Sequence, residues 1–275
     1  MFHEMINYAT KNYPFLIEHV NVRYIPHFHD ETEIVYVTKG QINVTIRNNS
    51  FLLKKGQICI ITSGLIHNLY SYDDSNSFVM KLFPVIDLKN ILLENNVLSP
   101  GNDNYDELKK CITTIMDENK KKRDKYELAV NISAEKIFLM IIRNMKYKRL
   151  EDKDRTRLSD SSGFLNSVTA FLENHYMDRF SLEDVAEHFY YTRSYFCHYF
   201  KRITGVTFWE YYTVFRLEKA LQLMADYPEK SFIEISGNSG FKNVRSFNLS
   251  FKKYHNCTPS EYMKKYNNKH KQKNI

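Results

Sequence analysis

Two groups of residues in this chain have types and spacings suited to chemistry. The first is His27, His29 and Glu33, with Gly40 following, and His67 after Gly64. In an unbroken strand positions 27, 29 and 33 share parity, so their side chains point to one side, where a later strand can bring His67. Three imidazoles and a carboxylate suit a divalent first-row transition metal such as Fe, Mn, Ni or Zn. The same four, with Tyr36, equally suit the polar wall of a pocket for a small-molecule effector, and Phe28, Tyr36, Tyr70 and Tyr72 are aromatic surfaces on which a sugar or aromatic compound can stack. Plain structural histidines are the third reading. The residues alone leave all three open.

The second group comes from a pattern written twice in the last hundred residues. Val185-Ala186 is followed by Phe196, Phe200-Lys201 and Thr207-Phe208-Trp209-Glu210-Tyr211; Ile235-Ser236 is followed by Phe247, Phe251-Lys252 and Thr258-Pro259-Ser260-Glu261-Tyr262. The offset grows by one residue at Gly240-Phe241, where a turn is expected, and a duplication this regular is not a chance event. Each copy reads as a helix-turn-helix, at about 181–203 and 231–254. Ala186 and Ser236 are small so that a second helix can cross closely, and Thr192 and Asn243 stand as N-caps. Phe196 with Phe200, and Phe247 with Phe251, bury one face of each second helix. The other face shows Arg193, Ser194, Cys197, His198 and Lys201 in the first copy, and Val244, Arg245, Asn248, Leu249 and Lys252 in the second. Arg and Asn pair with guanine and adenine edges, whereas Lys and Ser more often hold phosphate. An ordinary solvated face carries such residues too, but its occurrence in two copies favours double-stranded DNA as the partner.

The elements that position these groups follow from periodicity. Short alternating runs at Ile34–Thr38, Gln41–Arg47, Ser50–Leu53, Ile58–Thr62 and Phe78–Phe83, separated by Lys39-Gly40, Asn48-Asn49 and Lys55-Gly56, predict an antiparallel barrel or jelly roll. Two helices follow, Tyr105–Lys122 and Lys125–Lys148. The stripe Ile137, Met140, Ile141, Met145 on the second faces either a homodimer partner or the chain's own sheet. Charged and then small polar residues make 150–163 the best linker. Helical spacing resumes at Phe164, and Phe208–Asp226, free of Gly and Pro, predicts one helix joining the two units. Rigidly joined recognition helices would enter successive major grooves about 10 base pairs apart. The expected architecture is α+β: a barrel domain with trailing helices at 1–149, the linker at 150–163, an all-α domain at 164–268 and a basic tail at 269–275.

Composition fits this division. The formal charge of +7 is uneven: residues 164–275 hold 16 Lys and Arg against 11 Asp and Glu, and residues 1–163 hold 23 against 21. A basic excess in the duplicated half favours a polyanion, bound less tightly as salt rises. Lys264, Lys265, Lys269, Lys271 and Lys273 add either phosphate contacts or a solubilising end. Cys59, Cys111, Cys197 and Cys257 lack CxxC spacing, which argues against a zinc knuckle or disulfide framework. No apolar run reaches the ~18 residues that span a membrane, and Met1-Phe2-His3-Glu4 does not read as a signal peptide. The expectation is a cytoplasmic protein that does not engage a membrane.

Two resemblances rest on these residues. His27-x-His29-x-x-x-Glu33 with Gly40, and Gly56 leading to Gly64 and His67, resemble the two cupin motifs, with Thr62 in place of the usual Pro and Ser71 in place of Asn. The stretch Ser181–Tyr262 resembles the DNA-binding domain of the AraC/XylS family of bacterial transcription regulators. The matching residues are Ser181-Leu182-x-x-Val185-Ala186, Phe200-Lys201-x-x-x-Gly205, Arg216-Leu217-x-x-Ala220, Ile235-Ser236-x-x-x-Gly240-Phe241, Phe247-x-x-x-Phe251-Lys252 and Pro259-x-x-Tyr262. Members of that family commonly carry Arg where this chain has Leu249, which shifts base reading toward Arg245 and Asn248. The resemblance implies a cupin-like sensor for a small-molecule effector, a sugar as first guess. It also implies a homodimer, promoter DNA as target, and RNA polymerase as partner if the output is activation. It implies no enzyme and no cofactor beyond the metal option. The rival readings are a metal-dependent cupin enzyme with an appended DNA-binding module, and an effector-free regulator controlled by a protein partner.

Overall fold

The structure is a computed structural model that describes residues 15–20, 22–71, 75–82, 88, 91–255 and 257–264, with the backbone alone for 15–20. The basic tail, Lys265, Tyr72 and the strand end expected at Phe83 lie outside these residues. The chain divides into two compact units, Met1–Leu165 and Asn166–Ile275.

The first unit is built on strands β1 (Phe15–Val20), β2 (Arg23–His27), β3 (Thr32–Lys39), β4 (Gln41–Ile46), β5 (Asn49–Lys54), β6 (Ile58–Ile61), β7 (His67–Ser71), β8 (Asn76–Leu82), β9 (Ile91–Leu93), β10 (Val97–Leu98) and β11 (Tyr147–Arg149). Among the described residues they form a five-stranded sheet β1-β8-β3-β6-β10, a four-stranded sheet β2-β7-β4-β5 and the pair β11-β9. The two-residue turn between β4 and β5 falls on Arg47 and Asn48, one residue earlier than the sequence suggests, and Arg47 takes φ 55° to close it. Alternation does what it should in β4: Ile42, Val44 and Ile46 are buried and meet Leu53 and Leu69 of their own sheet and Val35, Val37, Cys59, Ile61 and Val79 of the other. The opposite face of the larger sheet presents Ile34, Ile58, Ile60, Met80 and Leu82 to helices α1 (Tyr105–Lys121) and α2 (Tyr126–Asn144). Strands β3 and β6 are therefore covered on both faces.

Three expectations change. Ile137, Met140 and Ile141 are buried in that helix-sheet core and Met145 packs against it, so the stripe faces its own chain and is not an interface. The end of the second predicted helix is strand β11, which pairs with β9. The expected linker is helical from Asp152 onward, the opening turns of α3 (Asp152–His175). Its charges pair at i, i+3, Arg155 with Asp152 and Arg157 with Asp154. The hydroxyls of Thr156 and Ser161 donate back to the carbonyls of Asp152 and Arg157. Leu158 packs into the sheet core. A polar stretch that reads as linker is here a solvated helix face held by local pairs.

The second unit is helical: α4 (Leu182–His188), α5 (Arg193–Thr204), α6 (Phe208–Asp226), α7 (Phe232–Asn238) and α8 (Val244–His255) follow the end of α3. Ser181, Thr207 and Ser231 each form a capping box with the acid three residues on. Ala186 and Ser236 are buried, as the close crossing requires. The connector α6 has the span read from the sequence. Arg216 ties it to the second turn: its guanidinium lies 4.1 Å from the centre of the Tyr212 ring and 4.7 Å from that of Phe241, and donates to the Gly240 carbonyl at 2.8 Å. Gly240 has φ 82°, and a Cβ there would stand 2.2 Å from the Tyr176 carbonyl oxygen, so no other residue fits. Among the described residues no helix is long and apolar enough to cross a membrane.

Candidate functional site

His27, His29, Glu33 and His67 converge in the first unit, by a different route from the one parity suggests. Strand β2 ends at His27, His29 stands in the short connection that follows, and Glu33 lies on β3 of the other sheet. His67 opens β7, directly across from His27 in the β2-β7 ladder. The Gly64 N–H donates to the His29 carbonyl at 2.8 Å, holding the turn before β7 against this connection. One ligand atom from each of the four side chains can be chosen so that all lie within 4.8 Å of one another. The ring centres of His27 and His67 are 4.3 Å apart, and those of His29 and His67 are 5.0 Å apart.

Each imidazole is fixed at the same end. The Nδ1 of His27 lies 2.8 Å from the Ile25 carbonyl, that of His29 3.1 Å from the Glu31 carbonyl, and that of His67 2.8 Å from the Leu65 carbonyl. A carbonyl only accepts, so each Nδ1 carries the hydrogen, and the Nε2 of a neutral ring is left as a lone pair. The Nε2 atoms of His29 and His67 lie 3.0 Å and 3.6 Å from Glu33 Oε2. Glu33 Oε1 and His67 Nε2 are buried with no hydrogen-bond partner among the described residues. Buried polar atoms without partners are costly.

Charge within the cluster is uneven. Burial opposes the charge of Glu33, but attraction from His67 and the hydrogen bond from His29 outweigh it and hold the carboxyl well below its usual range. Burial likewise opposes the His29 cation, yet hydrogen bonds to Glu31 and Glu33 raise its pKa. Burial, then repulsion from His67 and His29, pushes His27 well below the ordinary imidazole value.

The donor set fits a divalent transition metal. Ligands about 2.1 Å from one ion stand no more than about 4.2 Å apart, close to the spread seen here. Backbone acceptors on Nδ1 are also the outer partners that fix a ligating histidine.

Tyr36 does not join the centre. It is three residues from Glu33 on one strand, an odd step, and it packs on the helix side of the sheet. Tyr70 also alternates outward on β7, under the Arg23 guanidinium at 4.5 Å. Lys81, which sequence reading missed, is buried and is the cross-strand neighbour of Glu33. A lone charge inside the apolar run Phe78-Val79-Met80-Lys81-Leu82 was its signal. Thr62 and Ser71, the two departures from the cupin pattern, are buried: Thr62 donates to the Ile91 carbonyl at 2.6 Å, and Ser71 pairs with Ser75.

In the second unit both recognition helices form where expected. Thr192 Oγ1 accepts from the Tyr195 N–H at 3.3 Å, and Asn243 Oδ1 from the Ser246 N–H at 2.8 Å. Phe196, Phe200, Phe247 and Phe251 are fully buried, leaving Arg193, Ser194, His198, Lys201, Arg245, Asn248 and Lys252 exposed, with Cys197 and Val244 half-buried. Arg193 is already paired, its guanidinium 2.6 Å from Glu183 across the first turn. Tyr195, Arg202 and Lys253 share these exposed faces and were not singled out by sequence.

Comparison with known proteins divides the chain in the same way. A family model described as the AraC-like ligand binding domain matches residues 16–162, and one described as a helix-turn-helix domain matches 185–265. The uncharacterised HTH-type transcriptional regulator YdeC of Bacillus subtilis is 25% identical over 88% of this chain and 87% of its own length. The HTH-type transcriptional activator RhaS of Escherichia coli is 24% identical over 86% of each. Among solved structures, a ToxT structure from Vibrio cholerae aligns over 90% of this chain and 96% of its own, with 17% identity and a TM-score of 0.48. With a ligand-binding model on the sheet domain and a helix-turn-helix model on the duplicated unit, this chain belongs to the AraC family of transcriptional regulators.

Proposed function

We propose that the chain is a one-component regulator in which a small molecule taken up by the sheet domain changes how the paired helix-turn-helix units occupy promoter DNA. The observation that carries this is the pair of recognition helices, α5 and α8, each with a fully buried phenylalanine pair behind an exposed polar and basic face. Arg245 and Asn248 read bases; Lys201 and Lys252 hold phosphate; Ser194, His198 and the half-buried Cys197 and Val244 complete the two surfaces. Arg193 joins them by exchanging Glu183 for phosphate, since an exposed ion pair is worth little. The RhaS relative is a transcriptional activator, and on that likeness we assign activation, with RNA polymerase as partner, acting in the cytoplasm where promoters are. Genome-wide mapping of DNA bound by the full chain, with and without sugars as the first effector class, tests the reading. Occupancy should concentrate at discrete promoters and shift with one compound; sites and output indifferent to every compound tried would remove effector control.

The sheet domain adds a second reading. We infer that His27, His29, Glu33 and His67 hold a divalent transition metal, because all four offer ligand atoms within 4.8 Å of one another and the Nε2 atoms of His29 and His67, on rings fixed at Nδ1, face the Glu33 carboxylate. When bound, the ion would supply a Lewis-acidic position for an oxygen-bearing effector. Metal analysis of the full chain, purified without a histidine tag and then offered Fe, Mn, Ni or Zn, should give about one ion per chain. No stoichiometric uptake of any of the four would sink the metal reading, and the centre would then be a polar pocket.

The homodimer face also moves. With Ile137, Met140 and Ile141 turned inward, α2 exposes Leu128, Ile132 and Leu139, spaced four and then seven residues apart. That spacing stacks them along one side of a helix, as a self-pairing seam requires. We assign this stripe to a second copy of the chain.

A further inference from the structure

We propose that Leu249 is a base-reading residue that recognises the 5-methyl group of thymine, and that the second half-site therefore depends on thymine in a way the first does not. The inference rests on the reading of this unit as DNA-binding. Leu249 is two residues from each of the buried Phe247 and Phe251, so at about 100° per residue it points roughly 160° away from both. It is 65% exposed, at the centre of the open face of α8, where packing cannot account for a leucine.

A solitary exposed leucine is ordinary on a protein surface, but the setting of this one selects its occupant. Arg245, one turn earlier, and Lys252, one turn later, flank it, and with Val244, Asn248 and Pro259 they line a hollow of about 550 Å³. The two cations draw a polyanion onto this face. The major groove of a DNA duplex offers one apolar group, the thymine methyl, and apolar side chains are its readers. Arg245 and Asn248 beside it have the geometry for guanine and adenine. The residue at the matching position of the first unit is His198, exposed and polar.

The experiment uses the full chain and a duplex selected by it from a random pool. Each thymine of that duplex is then replaced singly by deoxyuridine, which removes the methyl and nothing else. One or two positions in one half-site should bind about fourfold more weakly, the worth of one buried methyl. Leu249→Ala should abolish that difference, and His198→Ala should leave it unchanged. Truncating an exposed side chain spares the core, and an unaltered circular dichroism spectrum and melting temperature establish that the variant is folded. Uniform indifference to deoxyuridine, or a methyl effect that survives in Leu249→Ala, overturns the proposal while leaving DNA binding intact. Unchanged DNA binding by Leu249→Ala, which would point to a protein partner in the hollow, overturns it as well. Failure to select any duplex overturns the proposal together with the DNA-binding reading beneath it.

Discussion

His198 and Leu249 hold the same place on the two recognition helices, each midway between a pair of buried phenylalanines and each exposed to solvent. The duplicated scaffold thus presents different chemistry at two equivalent exposed points. On the proposed reading, two units joined by the single helix α6 and carrying unequal faces would occupy an asymmetric site.

Replacing Arg245 by Ala should cost ~1–3 kcal/mol of binding and relax preference at particular base pairs. Replacing Lys252 by Ala should weaken all sequences alike and reduce the salt slope by about one. Competition binding against single-base variants of a selected site, at several salt concentrations, separates the two. A uniform loss in the Arg245 variant would mean that it holds phosphate.

Gly240→Ala should destabilise the helical unit by more than the ~1–2 kcal/mol of a left-handed backbone alone, because its Cβ meets the Tyr176 carbonyl. Denaturant unfolding of the full chain measures this. A change within a few tenths of a kcal/mol would show that the turn relaxes freely.

The helix caps predict an acid response. Backbone N–H groups, and then hydroxyls, hold the carboxyls of Asp184 at Ser181 and Glu210 at Thr207 below their ordinary pKa; for Glu234 the Ser231 hydroxyl leads and the backbone follows. A depressed folded-state pKa gives stability that is present above the unfolded value and is lost as pH falls through the folded one. Melting temperatures of the helical unit should hold through neutral pH and drop below the usual carboxylate range. The triple variant Asp184→Asn, Glu210→Gln, Glu234→Gln should start lower and lose that part of the acid slope. An acid slope identical to the parent's would show that the caps do not contribute to it.

Chelation should lower the stability of the sheet unit and leave the helical unit unchanged. Metal at a hundred times its dissociation constant contributes about 2.7 kcal/mol, so the melting transition of the metal-loaded full chain should move on adding EDTA, and the same addition to His67→Ala should move nothing. Equal response in parent and variant would place the metal elsewhere.

Burial separates the two apolar sides of α2. Ile137→Ala should lose ~2–5 kcal/mol of stability by opening a cavity. Ile132→Glu should preserve stability and shift the full chain toward monomer in sedimentation velocity. Dimer retained in both Ile132→Glu and Leu139→Glu would remove this face from the interface.

Local rules carried the helical unit almost whole. Caps at Thr192 and Asn243, the small residues Ala186 and Ser236 and the span of α6 are signals within a turn or two of the elements they set. The centre in the sheet unit was legible as residue types but not as geometry. His27, His29 and Glu33 meet because the chain crosses from one sheet to the other, which strand parity cannot express. Tyr36 was misplaced for the opposite reason: it shares a strand with Glu33, where parity does apply, and its odd step from Glu33 turns it to the other face. The segment 150–163 does end close to the division between the two units, but its helical conformation was not legible, because polarity marks an irregular linker and a solvated helix alike. Leu249 was placed on the open face by its spacing, and was discounted as a base reader only because a family pattern was compared at that one position.

Footprinting of the full chain on its selected duplex reads the placement of both recognition helices at once. Two protected tracts should lie on one face of the DNA, about one helical turn apart, unlike in sequence, and bound less tightly as salt rises. Protection that ignores sequence, or a single tract unaffected by changes on either α5 or α8, would contradict that placement.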